Sequence, residues 1–382
     1  MVRTSALFIS RATLPALAAM GLMWGSFAAM LPQIKTTIGV SDAELGAILF
    51  LAAVGSVIAM AAAPWLGRAA PRLAMPGAGL AVAVTLAALG LAGSPWALGA
   101  AIIAIGFASG LLDILANARV AVLEATHARG LMNLNHAGYS LSYAATAAAT
   151  GLARDAGWPP ALWFALVGAG IVVLTAGMAR NDDAPGQSNQ PTVGGAKPRL
   201  ATVVWIAGFI ALIAFFAENA TEGWSALHIE RTLGQGAVAG ALGPAMLGLT
   251  MGIGRLAGHV TAPRGSEAAM MAVGSLVSAA GLALAASAPG VATAFMGFAL
   301  FGLGASVIAP SAFALAGRAV DDESRARAIS AAAIVSYVGF FIGPPAMGFM
   351  SEAVGLRAAF ATASAVLVLI PLLVLLPQVR RV

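Results

Sequence analysis

The chain has 382 residues, of which 60% are hydrophobic and only 9% charged, and its mean hydropathy is +0.91. A soluble domain of this length would need far more charge to cover its surface, so the composition marks an integral membrane protein and excludes a soluble one. The net charge of +5 is scattered singly between apolar runs, which excludes a nucleic-acid patch, and the absence of cysteine excludes disulfides, thiolate metal sites and cysteine nucleophiles.

Twelve apolar stretches of about 20 residues, each long enough to cross a ~30 Å hydrocarbon core as a helix, follow in order. The first, 12–31, has a basic start like a secretory signal, but it continues through WGSFAAMLP, past Trp24, and is read as a transmembrane helix. The second, 43–64, leads into the loop PWLGRAAPRLA, with Gly67, Arg68 and Arg72; the third is 74–92. On the fourth, 96–118, Gly106, Gly110, Asp113 and Asn117 are spaced i, i+4, i+7 and i+11 and so share one stripe. The fifth, 131–151, carries His136, Tyr139, Ser140 and Tyr143 within about two turns, and the sixth is 159–179.

The polar segment RNDDAPGQSNQPTVGGAKPR, 180–199, cannot bury a core and reads as a flexible linker. It divides the chain into an N-terminal six-helix bundle, 1–179, a cytoplasmic linker, 180–200, and a C-terminal six-helix bundle, 201–382. The seventh stretch, 201–220, holds Glu218 and Asn219 towards its outer end, with Gly223 expected to break the helix and Glu222 to be a solvated loop acid. The eighth is 237–257, with Arg255 near its end; the ninth and tenth are 268–287 and 290–316. The cluster DDESRAR, with Arg325, reads as a solvated loop before the eleventh, 329–350, which carries Tyr337; the twelfth is 356–376.

With the N-terminus inside, only Lys35, Arg154, Arg231 and Arg357 of the 20 Lys and Arg fall outside, leaving sixteen inside, so both termini are expected in the cytoplasm of a bacterial inner-membrane protein. The halves echo each other. GFASG at 106 matches GLGAS at 302 at an offset of 196, and FAAMLPQIKTTIG (27–39) matches EGWSALHIERTLG (222–234) at 195. Duplicated six-helix halves are a transporter architecture, with the substrate site near the midplane between them.

Twelve spans, a six-plus-six repeat and inside termini resemble the major facilitator superfamily over essentially the whole chain. In the loop after the second helix, Gly67, Arg68 and Arg72 fit the superfamily signature, but Pro71 stands where its Asp should be; the matching second-half loop from Gly254 also lacks the acid. The Gly-Pro signature of superfamily antiporters is missing from the fifth helix, and a version appears only in the eleventh, GFFIGPPAMG. The stretches GLLDILAN, NLNHAGYSL and FFAENATEGWSAL look most like the fucose-permease-like branch. The resemblance implies an all-α membrane fold of two pseudo-symmetric bundles, alternating access, a cavity lined by helix seven, and gating at the loop residues Gly67, Arg68, Arg72, Arg255 and Arg325.

An ionisable group inside a membrane helix costs roughly 2.5 to 3.5 kcal/mol, so each is a functional candidate. Asp113 and Asn117 either carry function or only hold a neighbouring helix. Counting from the loop at Arg129, His136 lies about as deep as Asp113, so the two could share a proton or merely satisfy each other. Glu218 is the third candidate for proton coupling. Trp24, Asn117, Tyr139, Tyr143, Asn219 and Tyr337 are candidates for substrate binding, the aromatics being equally able to pack or to anchor at the interface.

The reading is a secondary active transporter of a small organic solute: a proton-coupled symporter of a sugar-like or other polar metabolite, or alternatively a proton-driven exporter of amphiphilic compounds. It is not an enzyme, for no nucleophile stands with a base, and no cofactor or metal motif appears. The partners expected are the substrate, protons and the bilayer, with no nucleic acid, and the chain is expected to be a monomer.

Overall fold

The computed structural model describes residues 5–179, 200–260 and 266–380, and among them every regular element is helical. After a four-residue helix, Ala6–Ile9, come α1 (Thr13–Ile38), α2 (Asp42–Ala69), α3 (Ala74–Leu89), α4 (Pro95–His127), α5 (Met132–Asp155) and α6 (Pro160–Met178). The second half holds α7 (Thr202–Leu227), α8 (Ala237–Val260), α9 (Glu267–Ser287) and α10 (Val291–Arg318). A continuous segment, Asp322–Leu367, is divided at Gly355, whose φ of 84° only glycine adopts readily, into α11 (322–354) and α12 (356–367, extended by Leu369–Val374). Among the described residues, twelve helices, α1 to α12, thus follow one another, six before the 180–199 segment and six after it. The linker expected at 180–200 lies almost wholly outside the described residues.

The helices outrun the apolar stretches because polar caps extend them. Ser41 accepts from the Glu44 amide at 3.2 Å while Glu44 accepts from the Ser41 amide at 2.8 Å, a reciprocal capping pair that opens α2. Ser94, Ser266 and Asp321 cap α4, α9 and α11 by accepting from the backbone amides of Ala97, Ala269 and Ser324. The two sequence echoes are structural. Gly39 and Gly234, which close the matched segments, both adopt left-handed backbone at φ 75° and 67°.

Gly106 packs so closely on α2 that an added Cβ would lie 2.2 Å from the Ala52 carbonyl oxygen. Gly302 stands in the same relation to Leu247 of α8, at 2.4 Å. The glycine stripe of α4 is thus a helix-packing surface within its half, and Gly110, against Ser56, extends it.

Gly223 does not break its helix: α7 runs on to Leu227 and then into a π-helical turn, His228–Thr232. An isolated glycine inside a packed helix costs only about 1 kcal/mol, which burial of Trp224 and Leu227 outweighs. Glu222 is consequently a helical, half-buried residue rather than a loop acid.

Across the boundary the halves meet along two pairs related by the repeat, α5 with α8 and α2 with α11. Both contacts use small residues. Gly248 and Gly252 of α8 admit Tyr143 and Leu141, and Gly46 of α2 meets Gly348 of α11.

Candidate functional site

One end of the bundle is tied shut between the halves. Arg154, at the end of α5, donates to both carboxylate oxygens of Glu230 in the π turn, at 2.6 and 2.9 Å, and also to the Ala29 carbonyl at 2.8 Å. Asp42, at the start of α2, is held by Lys35 at 3.1 Å, by Arg231 at 2.5 Å and by the Ser351 hydroxyl at 2.5 Å. Glu352 accepts from the Ala43 amide at 2.8 Å, placing a carboxylate on the first turn of α2. At the opposite end a cavity of ≈290 Å³ opens between α4, α5 and α8, lined by Glu124, Arg129, Met132, Asn133 and His259 among others.

Between these ends lies a polar chamber. Asn117 Nδ2 donates to Asp113 Oδ1 at 2.8 Å, one turn apart on α4, and the Asn117 carbonyl meets His136 Nε2 of α5 at 3.1 Å. Asp113 and His136 are therefore joined through Asn117 and share no direct hydrogen bond. With the amide so oriented, His136 carries its proton on Nε2, and the chain of donors runs from imidazole to amide to carboxylate. From the other half, Tyr337 of α11 stands near the same carboxylate. Asp113 thus lies where residues of the two halves come together.

A second cluster adjoins the first. Arg255 of α8 donates to Ser140 Oγ at 2.6 Å and lies 3.6 Å from Glu218 Oε1 on α7; the Arg255 and Glu218 side chains are 11% and 10% exposed. This places Arg255 inside the chamber, apart from the exposed Arg68 and Arg72. Glu218, expected towards the outer end, is buried. Burying a charge unpaired is prohibitive, so the guanidinium on α8 stands beside the Glu218 carboxylate of the same half, and its bond to Ser140 reaches α5 of the other.

The other candidates fall as follows. Tyr139 and Tyr143 lie 6.2 Å apart, Tyr143 wholly buried, and Tyr337 adjoins Phe340 at 6.0 Å. Trp24 packs edge-to-face on Phe27 at 5.9 Å and is half-buried. Asn219 is half-buried beside Gly343 of α11, with no hydrogen bond among the described residues. Gly67 is buried at the end of α2, and the stem of Arg325 rests against Gly317. Sequence reasoning missed the latch acids Asp42 and Glu230. The outlying cations Arg154 and Arg231 were the signal that could have found them, since a charge at a helix end invites a partner.

The Major Facilitator Superfamily sequence profile matches residues 13–299 and 264–382. An uncharacterized MFS-type transporter of Yersinia pestis is 27% identical over 351 residues, covering 89% of this chain and 88% of its own length. The membrane protein MosC of Rhizobium meliloti is 26% identical over 338 residues, covering 88% and 82%. Among solved structures, a D-xylose-proton symporter superposes with a TM-score of 0.75 at 17% identity, covering 98% of this chain and 99% of that one. An inward-facing, unoccupied bacterial homolog of the human lysosomal transporter Spinster gives 0.73 at 16%, covering 98% and 97%. These likenesses below 25% identity establish the shared fold. With the profile spanning nearly all twelve helices, the chain belongs to the Major Facilitator Superfamily and is a multi-pass membrane transporter.

Proposed function

We propose that this transporter is a proton-coupled symporter of a small polar metabolite. The two bundles, 1–179 and 201–382, rock about the chamber while the 180–200 segment tethers them, and a single chain holds a complete site. The observation that carries the reading is the connected set of Asp113, Asn117 and His136 on α4 and α5, with Tyr337 of the other half beside it. A carboxylate at the boundary between the halves changes its hold on its neighbours when it takes a proton, because the neutral acid loses acceptor strength and is less costly to desolvate. Protonation then biases which state of the chamber persists. The positive-inside distribution assigns the latched end to the outside, so the bound pairs at Asp42 and Glu230 close the outer side while the inner end stands open. Dense polar lining favours a polar cargo over an amphiphile, and the fold likeness to a protein named as a D-xylose-proton symporter is in keeping with that choice.

The test is uptake in proteoliposomes. A panel of radiolabelled sugars, sugar acids and amino compounds is offered under an imposed inward proton gradient. Accumulation of one class above equilibrium, abolished by Asp113→Asn while tracer exchange survives, is the expected result. Accumulation unchanged in Asp113→Asn overturns the coupling role.

A further inference from the structure

Two mostly buried arginine–carboxylate pairs among the described residues are built differently. At the latched end Arg154 meets both oxygens of Glu230, at 2.6 and 2.9 Å, a fork seated on its carboxylate. In the chamber Arg255 stands 3.6 Å from Glu218 Oε1, beyond the roughly 2.7–3.2 Å of an N–H···O bond. Its one hydrogen bond among the described residues goes to Ser140 Oγ at 2.6 Å, and that hydroxyl donates in turn to the His136 carbonyl at 3.1 Å. A guanidinium carries five N–H donors, so most of those on Arg255 meet no acceptor at bonding distance. Arg255 also ends a stripe of α8 that faces α5: Gly248 lies against Tyr143 and Ser140, and Gly252 against Leu141 and Ser140. The ≈290 Å³ cavity of the opposite end begins one turn away. Gly258, about 4.5 Å along α8 from Arg255, lines it, and so does Asn133, whose Nδ2 would lie 3.3 Å from a Cβ added at Gly258. Arg129 and His259 line the same cavity, whereas the charge of Glu124 there is met by the Leu131 and Met132 amides at 2.5 and 2.8 Å.

A mostly buried guanidinium beside a carboxylate that does not seat on it offers its fork to another carboxylate. We propose that Arg255 binds the carboxylate of the cargo, a small polar monocarboxylate such as a sugar acid, and that Glu218 is the acid it displaces. A buried carboxylate stripped of its cation is costly, so Glu218 takes up a proton as the cargo seats. The charges balance. Before binding, the Glu218 carboxylate faces the guanidinium; afterwards the cargo carboxylate faces it and Glu218 is a neutral acid, so one anion and one proton enter together and the chamber gains no net charge. Around the pair stand Asp113 and His136, already joined through Asn117, Glu222 one turn along α7, and Tyr139 and Tyr143 of α5. With Asp113 and Glu222 already contributing negative charge, an anion that brought no proton would be repelled. A neutral sugar has no charge with which to displace Glu218. This inference rests on the chamber being the cargo site and names the chemistry of that cargo; Asp113 keeps its part in biasing the halves.

The experiment uses the full chain in nanodiscs and pairs each carboxylate, as its sodium salt, with a neutral twin: D-gluconate with D-sorbitol, D-galacturonate with D-galactose, and L-lactate with propylene glycol. Sodium chloride at equal ionic strength is a separate arm. Thermal stabilisation by at least one carboxylate, absent for its twin and for chloride, is expected. In weakly buffered solution at about pH 7, its binding should withdraw about one proton from the medium per carboxylate bound. Glu218→Gln should bind the same carboxylate about tenfold more tightly and without proton uptake, because no acid then competes for the guanidinium; a damaged fold cannot produce that gain. Arg255→Lys, which keeps the charge and loses the fork, should weaken binding about tenfold. Equal shifts from carboxylate and twin, no shift from any carboxylate, binding without proton uptake, or no tightening in Glu218→Gln would each overturn the assignment. Uptake of a neutral sugar that Asp113→Asn abolishes would leave the transport reading standing even if the carboxylate site fails.

Discussion

Arg154 and Glu230 face each other as a two-pronged pair, 2.6 and 2.9 Å apart, with Arg154 on the N-terminal half and Glu230 on the C-terminal one. The Arg154 side chain is 6% exposed, so the pair lies out of water, where the loss of one partner strands the other. Because the two residues belong to different halves, the interaction exists only while this end of the bundle is shut.

Glu230→Gln should therefore favour the outward-open state. Removing one partner of a buried pair costs about 3 kcal/mol, and each 1.4 kcal/mol shifts a two-state equilibrium tenfold. The native chain has no cysteine. A single cysteine at Asn219 can thus report opening by its rate of maleimide labelling from outside, and the rate should rise in Glu230→Gln. An unchanged rate would show that the latch does not hold the closed state. Gly240→Ala should act in the same direction, since its added Cβ would lie 2.1 Å from Glu230 Oε1 and must displace that carboxylate.

Arg255 should matter to stability as well as to transport. Arg255→Ala leaves Glu218 buried without its cation and should destabilise the protein by about 3 kcal/mol, read as a fall in the thermal unfolding midpoint. Adding Glu218→Gln should restore much of the loss, since no unpaired charge then remains. If the double variant is as unstable as Arg255→Ala alone, the guanidinium stabilises through packing and not through Glu218.

Asn117→Ala cuts the bridge between Asp113 and His136. It should cost about 1–3 kcal/mol through the two half-buried groups left unmet. Gradient-driven uptake should fall further than tracer exchange, because the imidazole is no longer connected to the carboxylate. Equal loss of both activities would reduce Asn117 to a substrate contact or a structural one.

The paired glycines give a test of the repeat. Gly106→Ala and Gly302→Ala each push a methyl into a carbonyl of the adjacent helix, Ala52 and Leu247 respectively, and overpacking of this kind costs about 1–3 kcal/mol. Both should lower the unfolding midpoint by similar amounts. A loss in one only would show that the two halves tolerate helix separation differently.

Much of this molecule was readable along the chain. Hydropathy placed twelve spans, and the 195–196 offset anticipated contacts such as Gly106 on Ala52 and Gly302 on Leu247, because a duplicated sequence repeats its helix packing. The depth of Asp113 relative to His136 followed from helical rise alone, since both are counted from the same turn. Which atoms touch did not follow: Asn117 stands between them, a matter of side-chain direction across two helices.

Charges near helix ends were read least well. Arg255 looked like a loop residue because sequence position measures distance along one helix, whereas its long side chain reaches across to Glu218 on another. Gly223 looked like a helix end because local propensity was weighed without the packing that overrides it. By itself, then, the sequence determined that the chain lives in a bilayer, crosses it twelve times and repeats itself once, since these depend on hydrophobicity and period. Only the tertiary structure decided that Asn117 joins Asp113 to His136, that Asp42 and Glu230 latch one end, and that Glu218 is buried beside Arg255. Those are contacts between residues distant in the chain, fixed by how helices are turned against one another.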